Sequence, residues 1–159
     1  MKSLLATVGM FVSLMANASN SPTLFEADSY NKLLSEKSKP FIMVLWSLDC
    51  PPCMHELNML GQLYKQNPDL NLVLISTDST SKKEEVNNLI EKFGLSEVDS
   101  RVFSNVSQQS LRYSIDPSWY GELPRSYFHN KETRRAVSGL LGEAKLMAWL
   151  KNNAIKAND

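Results

Sequence analysis

The chain has 159 residues, of which 43% are hydrophobic and 21% charged, with 17 basic against 17 acidic side chains and two cysteines. That describes one domain with an ordinary core: too apolar for disorder, too short for two domains, and without the charge excess that nucleic acid or an anionic membrane surface would select. Two cysteines cannot build a disulfide scaffold, and a core of this size does not need one.

Residues 1–18 read MKSLLATVGMFVSLMANA. Lys2 is a short positive start, residues 4–15 are largely apolar, and Ala16-Asn17-Ala18 is a small-x-small cleavage site. This is the pattern of a secretory signal peptide, too short for a comfortable transmembrane span, and cleavage is expected after Ala18. The mature domain would be residues 19–159, and the loss of Lys2 would leave it a formal charge of −1. The alternative is an uncleaved N-terminal anchor with the domain facing the periplasm. No cysteine stands at the cleavage site, so a lipoprotein is not expected. Either way the destination is an exported compartment, most simply a bacterial periplasm, where disulfide chemistry can operate.

The first predicted helix runs from about Glu26 to Lys37, with Tyr30, Leu33 and Leu34 on one face. Phe41 to Trp46 is an unbroken apolar run, the signature of a strand covered on both faces. Asp49-Cys50-Pro51-Pro52-Cys53 follows and opens a helix to about Gln66, with Cys53, Leu57, Leu60 and Tyr64 on one side. Prolines are tolerated there because first-turn N–H groups lack helical partners anyway. Leu70 to Ser76 reads as the next buried strand. Ser81-Lys82-Lys83-Glu84 resembles a capping box, and Val86, Leu89, Ile90 and Phe93 mark a helix that Gly94 stops. A short strand at Arg101–Phe103, a helix from about Val106 to Tyr113, and strands at 125–129 and 135–138 paired as a hairpin come next. The last helix spans about Glu143 to Ala154, with Leu146, Met147, Leu150 and Ala154 inward. Strands alternating with helices, then a hairpin and a helix, predict a three-layer α/β/α domain with a mixed sheet.

A disulfide across C-x-x-C closes so short a loop that it would contribute roughly 2 kcal/mol, near the low end for disulfides. Chemistry explains the pair better than stability does. A helix N-terminus favours an anion and lowers the pKa of the first cysteine, making Cys50 the nucleophile. Cys53, one turn on, is then the resolving thiol that attacks the mixed disulfide. Pro51 and Pro52 remove two amides that could have donated to a Cys50 thiolate, and the charge of Asp49 opposes thiolate formation. Both disfavour the dithiol relative to the disulfide, which is the poise of a reductant.

The segment Leu45-Trp46-Ser47-Leu48-Asp49-Cys50-Pro51-Pro52-Cys53-x-x-Glu56 resembles the F-W-A-x-W-C-x-P-C-x-x-E active-site segment of exported thioredoxin-like proteins of the TlpA/ResA/DsbE type. The likeness in element order extends from about residue 24 to the C-terminus and includes a helix-strand insertion at about 81–103. The resemblance implies a thioredoxin-like fold and a thiol:disulfide oxidoreductase whose only cofactor is its own Cys50–Cys53 disulfide. It implies protein substrates and, as electron donor, a membrane-embedded thiol transporter. Leu123-Pro124 lies where the family carries its cis-proline, which implies that both residues contact substrate through backbone pairing.

The sequence departs from the pattern in three places. Asp49 replaces an aromatic residue, Asn58 replaces a common proline, and Val44 stands where thioredoxins carry a buried acid. Proton handling then falls to another group, and Glu56, one turn beyond Cys53, is the candidate. Trp119, in the long segment 116–123, is a candidate for lining a substrate groove, together with Tyr120. His55 is expected at the surface, and His129 ends a strand without a clear partner. Lys131, Arg134 and Arg135 read as a solvated hairpin. Two cysteines and two scattered histidines do not make a structural zinc site, and no metal is expected. The rival reading is a Cu(I) metallochaperone that uses the same two thiolates with Met54 nearby. No phosphate loop, Ser-His-Asp spacing or nucleotide fingerprint is present, no nucleic-acid partner is expected, and the expected state is a monomer.

Overall fold

Six apolar residues in succession, Phe41 to Trp46, have no polar face to offer water, so the fold must cover them on both sides. The computed structural model describes residues 21–130 and 133–156; the expected signal peptide and Lys131 lie outside them. The elements are β1 (Thr23–Phe25), α1 (Ser29–Glu36), β2 (Phe41–Trp46), α2 (Pro51–Gln66), β3 (Leu72–Ser76), a 3-10 turn (Thr80–Lys82), α3 (Lys83–Lys92), β4 (Asp99–Phe103), α4 (Gln108–Ile115), β5 (Arg125–His129), β6 (Arg134–Ser138) and α5 (Glu143–Lys156). The strands form one sheet in the order β1-β4-β3-β2-β5-β6. β2 pairs parallel with β3 and antiparallel with β5, and β5 pairs antiparallel with β6.

Alternation along β2 sorts the core into two layers. Ile42, Val44 and Trp46 join Leu57 and Leu60 of α2, Val86 and Ile90 of α3 and Leu146 of α5. Phe41, Met43 and Leu45 face the other way, against Tyr30 and Leu33 of α1 and Leu111 and Ile115 of α4. The domain is a thioredoxin-like α/β/α sandwich with a mixed sheet, and α3 and β4 are the insertion.

Several local expectations needed correction. β1 was not anticipated: it has three residues and only Phe25 is buried, too short for an alternation to register. It occupies the chain just before α1, which therefore starts at Ser29 rather than Glu26. Leu34, expected inward, is exposed, because the sheet takes only Tyr30 and Leu33. No capping box forms at Ser81. That residue sits in the 3-10 turn and its hydroxyl bonds Ser79, and the helix starts at Lys83 without a side-chain cap. β4 begins two residues early, at Asp99, because polar Asp99 and Ser100 still pair with Val73 and Leu74. Met147 is 42% exposed while Leu146 is buried, and the expected inward placement of Ala154 lies outside the described side chains. No helix among the described residues is long and apolar enough to cross a membrane.

Gly61 sets how closely α2 approaches the end of α3. A Cβ there would stand 2.0 Å from the Phe93 carbonyl oxygen, a contact that backbone cannot relieve by rotating a side chain. Gly61→Ala is therefore expected to destabilise the domain by about 1–3 kcal/mol despite the better helix propensity of alanine. Urea unfolding of the oxidised protein measures this; an alanine variant at least as stable as the parent would show that the helices can part freely.

Candidate active site

Central strand β2 ends at Trp46, and the chain reaches α2 through Ser47–Asp49. Cys50 is the N-cap of α2, with Pro51 and Pro52 in the first turn. Cys50 and Cys53 are joined by a disulfide with their Cα atoms 5.2 Å apart. Cys50 keeps 9% of its surface exposed and Cys53 none, so a thiol arriving from outside meets Cys50 first. The Cys53 N–H points at the Cys50 Sγ from 3.3 Å, and the two prolines between them have no N–H to add. Asp49 is exposed, and Lys82 Nζ pairs with its carboxylate at 3.2 Å. The insertion thus places a cation against the charge that precedes Cys50.

The approach loop is held by Asp78, which sequence reasoning missed. Its carboxylate accepts from the Leu48 N–H at 2.9 Å, the Ser47 hydroxyl at 3.3 Å and the Ser76 hydroxyl at 2.7 Å. The only available signal was topological. β3 runs parallel to β2, so the residues just past its end stand beside the loop that leaves β2.

Glu56 is 2% exposed. Its Oε1 accepts from the Ser126 hydroxyl at 2.9 Å and its Oε2 from the Leu141 N–H at 2.8 Å, so one carboxylate ties α2 to β5 and to the loop before α5. Burial raises its pKa, and the two hydrogen bonds oppose that rise only in part.

The Leu123–Pro124 peptide is cis. Leu123 packs against the cluster that contains Cys50 and Cys53. The Pro124 carbonyl accepts from the Gly139 N–H at 2.9 Å, and the Glu122 carbonyl from the Trp119 indole at 2.9 Å. Among the described residues, nothing hydrogen-bonds the Leu123 N–H or C=O. Trp119 is 4% exposed and packs in the layer of α1 and α4, while Tyr120 beside it is 92% exposed. The indole is large enough to fill the space under the loop, which leaves the next side chain outside.

His55 is exposed. His129 is buried and stacks on Phe41 with ring centroids 4.5 Å apart, and among the described residues its Nε2 has no hydrogen-bond partner. Desolvation, with Arg134 adding to it, lowers its pKa to about 4 and keeps it neutral. Arg134 is not simply solvated, since it donates to the Ile115 carbonyl at 2.7 Å and the Tyr30 hydroxyl at 3.2 Å. Among the described residues, no three His, Cys, Asp or Glu side chains come together as a metal-holding group.

The raised pKa of Glu56 has a consequence for stability. Between the unfolded and folded pKa values the folded state binds more protons, so stability falls as pH rises through that window. Glu56→Gln removes the titration. The stability of the variant relative to the parent is expected to improve as pH rises from the ordinary carboxyl range upward. Urea melts at a series of pH values measure the difference, and a flat or opposite trend would show an unshifted carboxyl.

A thioredoxin-like family profile matches residues 38–118, just over half of the chain. No curated protein matches the sequence. Solved structures with the same fold include DsbF from MTB, with 16% identity over 74% of this chain and 83% of that one and a TM-score of 0.58. A secreted Mycobacterium tuberculosis disulfide oxidoreductase, described as homologous to E. coli DsbE, has 19% identity over 74% and 84%, with a TM-score of 0.55. A thio-disulfide isomerase from Thermus thermophilus has 16% identity over 76% and 82%, with a TM-score of 0.55. With the disulfide at the start of α2 and the family match across it, the chain belongs to the thioredoxin-like family, and Cys50–Cys53 is the redox centre of a thiol:disulfide oxidoreductase.

Proposed function

We propose that the chain is exported to the periplasm, that its leader is removed after Ala18, and that it reduces disulfides in protein substrates. The observation that carries this reading is the asymmetry of the pair, with Cys50 partly exposed and Cys53 sealed. In the reduced protein the Cys50 thiolate attacks one sulfur of a substrate disulfide. A mixed disulfide forms and one substrate thiolate leaves. Cys53 then gives up its proton and attacks the Cys50 Sγ. The Cys50–Cys53 bond forms, the second substrate thiolate departs, and two electrons have passed to the substrate.

Glu56, three residues beyond Cys53 and on the buried face of α2, is proposed to take up the Cys53 proton, a role its raised pKa supports. Leu123 and Pro124 are proposed to bind an extended substrate segment, with the unpaired Leu123 N–H and C=O extending a strand. The donors around Cys50 support the proposed direction of transfer. Pro51 and Pro52 offer none, so the thiolate form gains little from the helix start beyond the Cys53 N–H. A membrane-embedded thiol transporter is the proposed electron source, and the protein works as a monomer.

Cys53→Ser leaves the attacking thiol without its resolver. Expressed in cells, it is expected to accumulate disulfide-linked protein partners that reductant releases and that Cys50→Ser abolishes. No trapped partners would remove the enzyme reading. Equilibration with thiol redox buffers should place the potential nearer that of thioredoxin, about −270 mV, than the about −120 mV of a strong oxidant. A value at the oxidising end would reverse the direction.

A further inference from the structure

The loop at 116–124 ends in Leu123-Pro124, and its polar groups converge on one guanidinium. Arg125 Nη2 donates to Asp116 Oδ2 at 3.1 Å, Nη1 to Glu122 Oε1 at 3.0 Å and to the Ser138 hydroxyl, and Nε to the Tyr127 hydroxyl at 3.2 Å. Asp116 Oδ1 also accepts from the Ser118 N–H at 3.0 Å and the Ser118 hydroxyl at 2.6 Å, and Oδ2 accepts from the Tyr127 hydroxyl at 2.9 Å. Arg134 Nη2 stands 3.6 Å from Oδ1. The Arg125 and Asp116 side chains are only 12% and 5% exposed. Burial opposes the Asp116 charge, but the bonds from Ser118, Tyr127 and Arg125 outweigh it and hold the pKa at about 2.

Buried ion networks of this kind contribute little net stability compared with apolar packing of the same shape. What a guanidinium fork does supply is direction, because its donors lie in one plane at set angles. Here that direction is imposed on the residues around Leu123. The side chain of Glu122 is held by Arg125 and its carbonyl by Trp119, and the carbonyl of Pro124 is held by Gly139. Leu123 is the residue between these anchors, and its own N–H and C=O are left unpaired among the described residues. The guanidinium network fixes Glu122 on one side, Gly139 fixes the Pro124 carbonyl on the other, and the backbone edge between them is left to be presented.

We propose that Asp116 and Arg125 are positioning residues for substrate. They hold the free Leu123 edge in register with Cys50–Cys53, so that an extended segment of a disulfide-bearing protein is aligned for attack. They govern reactivity toward protein disulfides and leave the intrinsic chemistry of the cysteine pair alone. The inference rests on the reading that Leu123 pairs with a substrate strand.

The test compares two disulfides that differ in their need for a strand. The reduced full-length protein is mixed with insulin or with oxidised glutathione, and the second-order rates are followed. Arg125→Met, which removes every bond of the fork, is expected to slow the insulin reaction about tenfold while the glutathione rate and the redox potential stay unchanged. Arg125→Lys keeps the charge without the fork and is expected to fall between, and it carries the test alone if Arg125→Met does not fold. Equal losses on both disulfides, or no loss on insulin in either variant, would overturn the proposal. Leu123→Pro, which deletes the edge N–H, separates the two levels. If it slows insulin and the Arg125 variants do not, the positioning inference fails while strand pairing stands. If it leaves insulin unaffected, strand pairing itself fails.

Discussion

Burial of β2 on both faces is the constraint from which the rest follows. Each of its six residues is fully or almost fully removed from water. At about 1.5–3 kcal/mol for each large apolar side chain, the run can be satisfied only at the centre of a covered sheet. Parallel β3 on one side and antiparallel β5 on the other complete its backbone bonds. The chain therefore leaves the sheet at the end of its most buried strand, and a helix beginning there points its positive end at whatever residue stands first. Cys50 is that residue.

Around this point polar groups are buried in a particular way. Asp78 holds the loop entering the site, Glu56 ties α2 to β5 and the loop before α5, and Asp116 with Arg125 holds the segment that carries Leu123 and Pro124. Asp78 and Glu56 bridge elements far apart in sequence, whereas Asp116 and Arg125 clamp a loop between neighbouring elements. Apolar side chains would fill the same space with less desolvation cost, but they would not fix the angle of a loop. The sulfur pair is thereby framed by three loops whose geometry is set by hydrogen bonds, while the strands and helices behind them are held by packing.

Legibility in the sequence followed the same division. Elements with a strong apolar period were readable, as in β2, β3 and α2, because the period reports which face is buried. Short or polar elements were not. β1 buries one residue, and β4 starts with an aspartate and a serine that pair by backbone alone. The capping box at Ser81 failed because a 3-10 turn precedes α3 and takes the serine into a different bond. Residue type alone leaves Trp119 between a groove-lining and a packing role, and the fold buries it beneath its loop. Arg134 looked like one of a run of surface cations, but the fold brings Ile115 and Tyr30 to it from elsewhere in the chain.

The sequence by itself determined the reactive unit: two cysteines one helical turn apart, after a strand buried on both faces, with prolines that thin out the donors around the first. Those properties are local and are carried by residue type and spacing. Only the tertiary structure decided which cysteine meets solvent, which cation answers Asp49, and which acids stand behind the loops. These outcomes depend on the ends of strands that are neighbours in the sheet and distant in the chain. Asp78 reaches the loop before Cys50 across 30 positions, and Glu56 reaches Ser126 across 70. No periodicity encodes such contacts, because they are made by strand order and crossover connections rather than by any one segment.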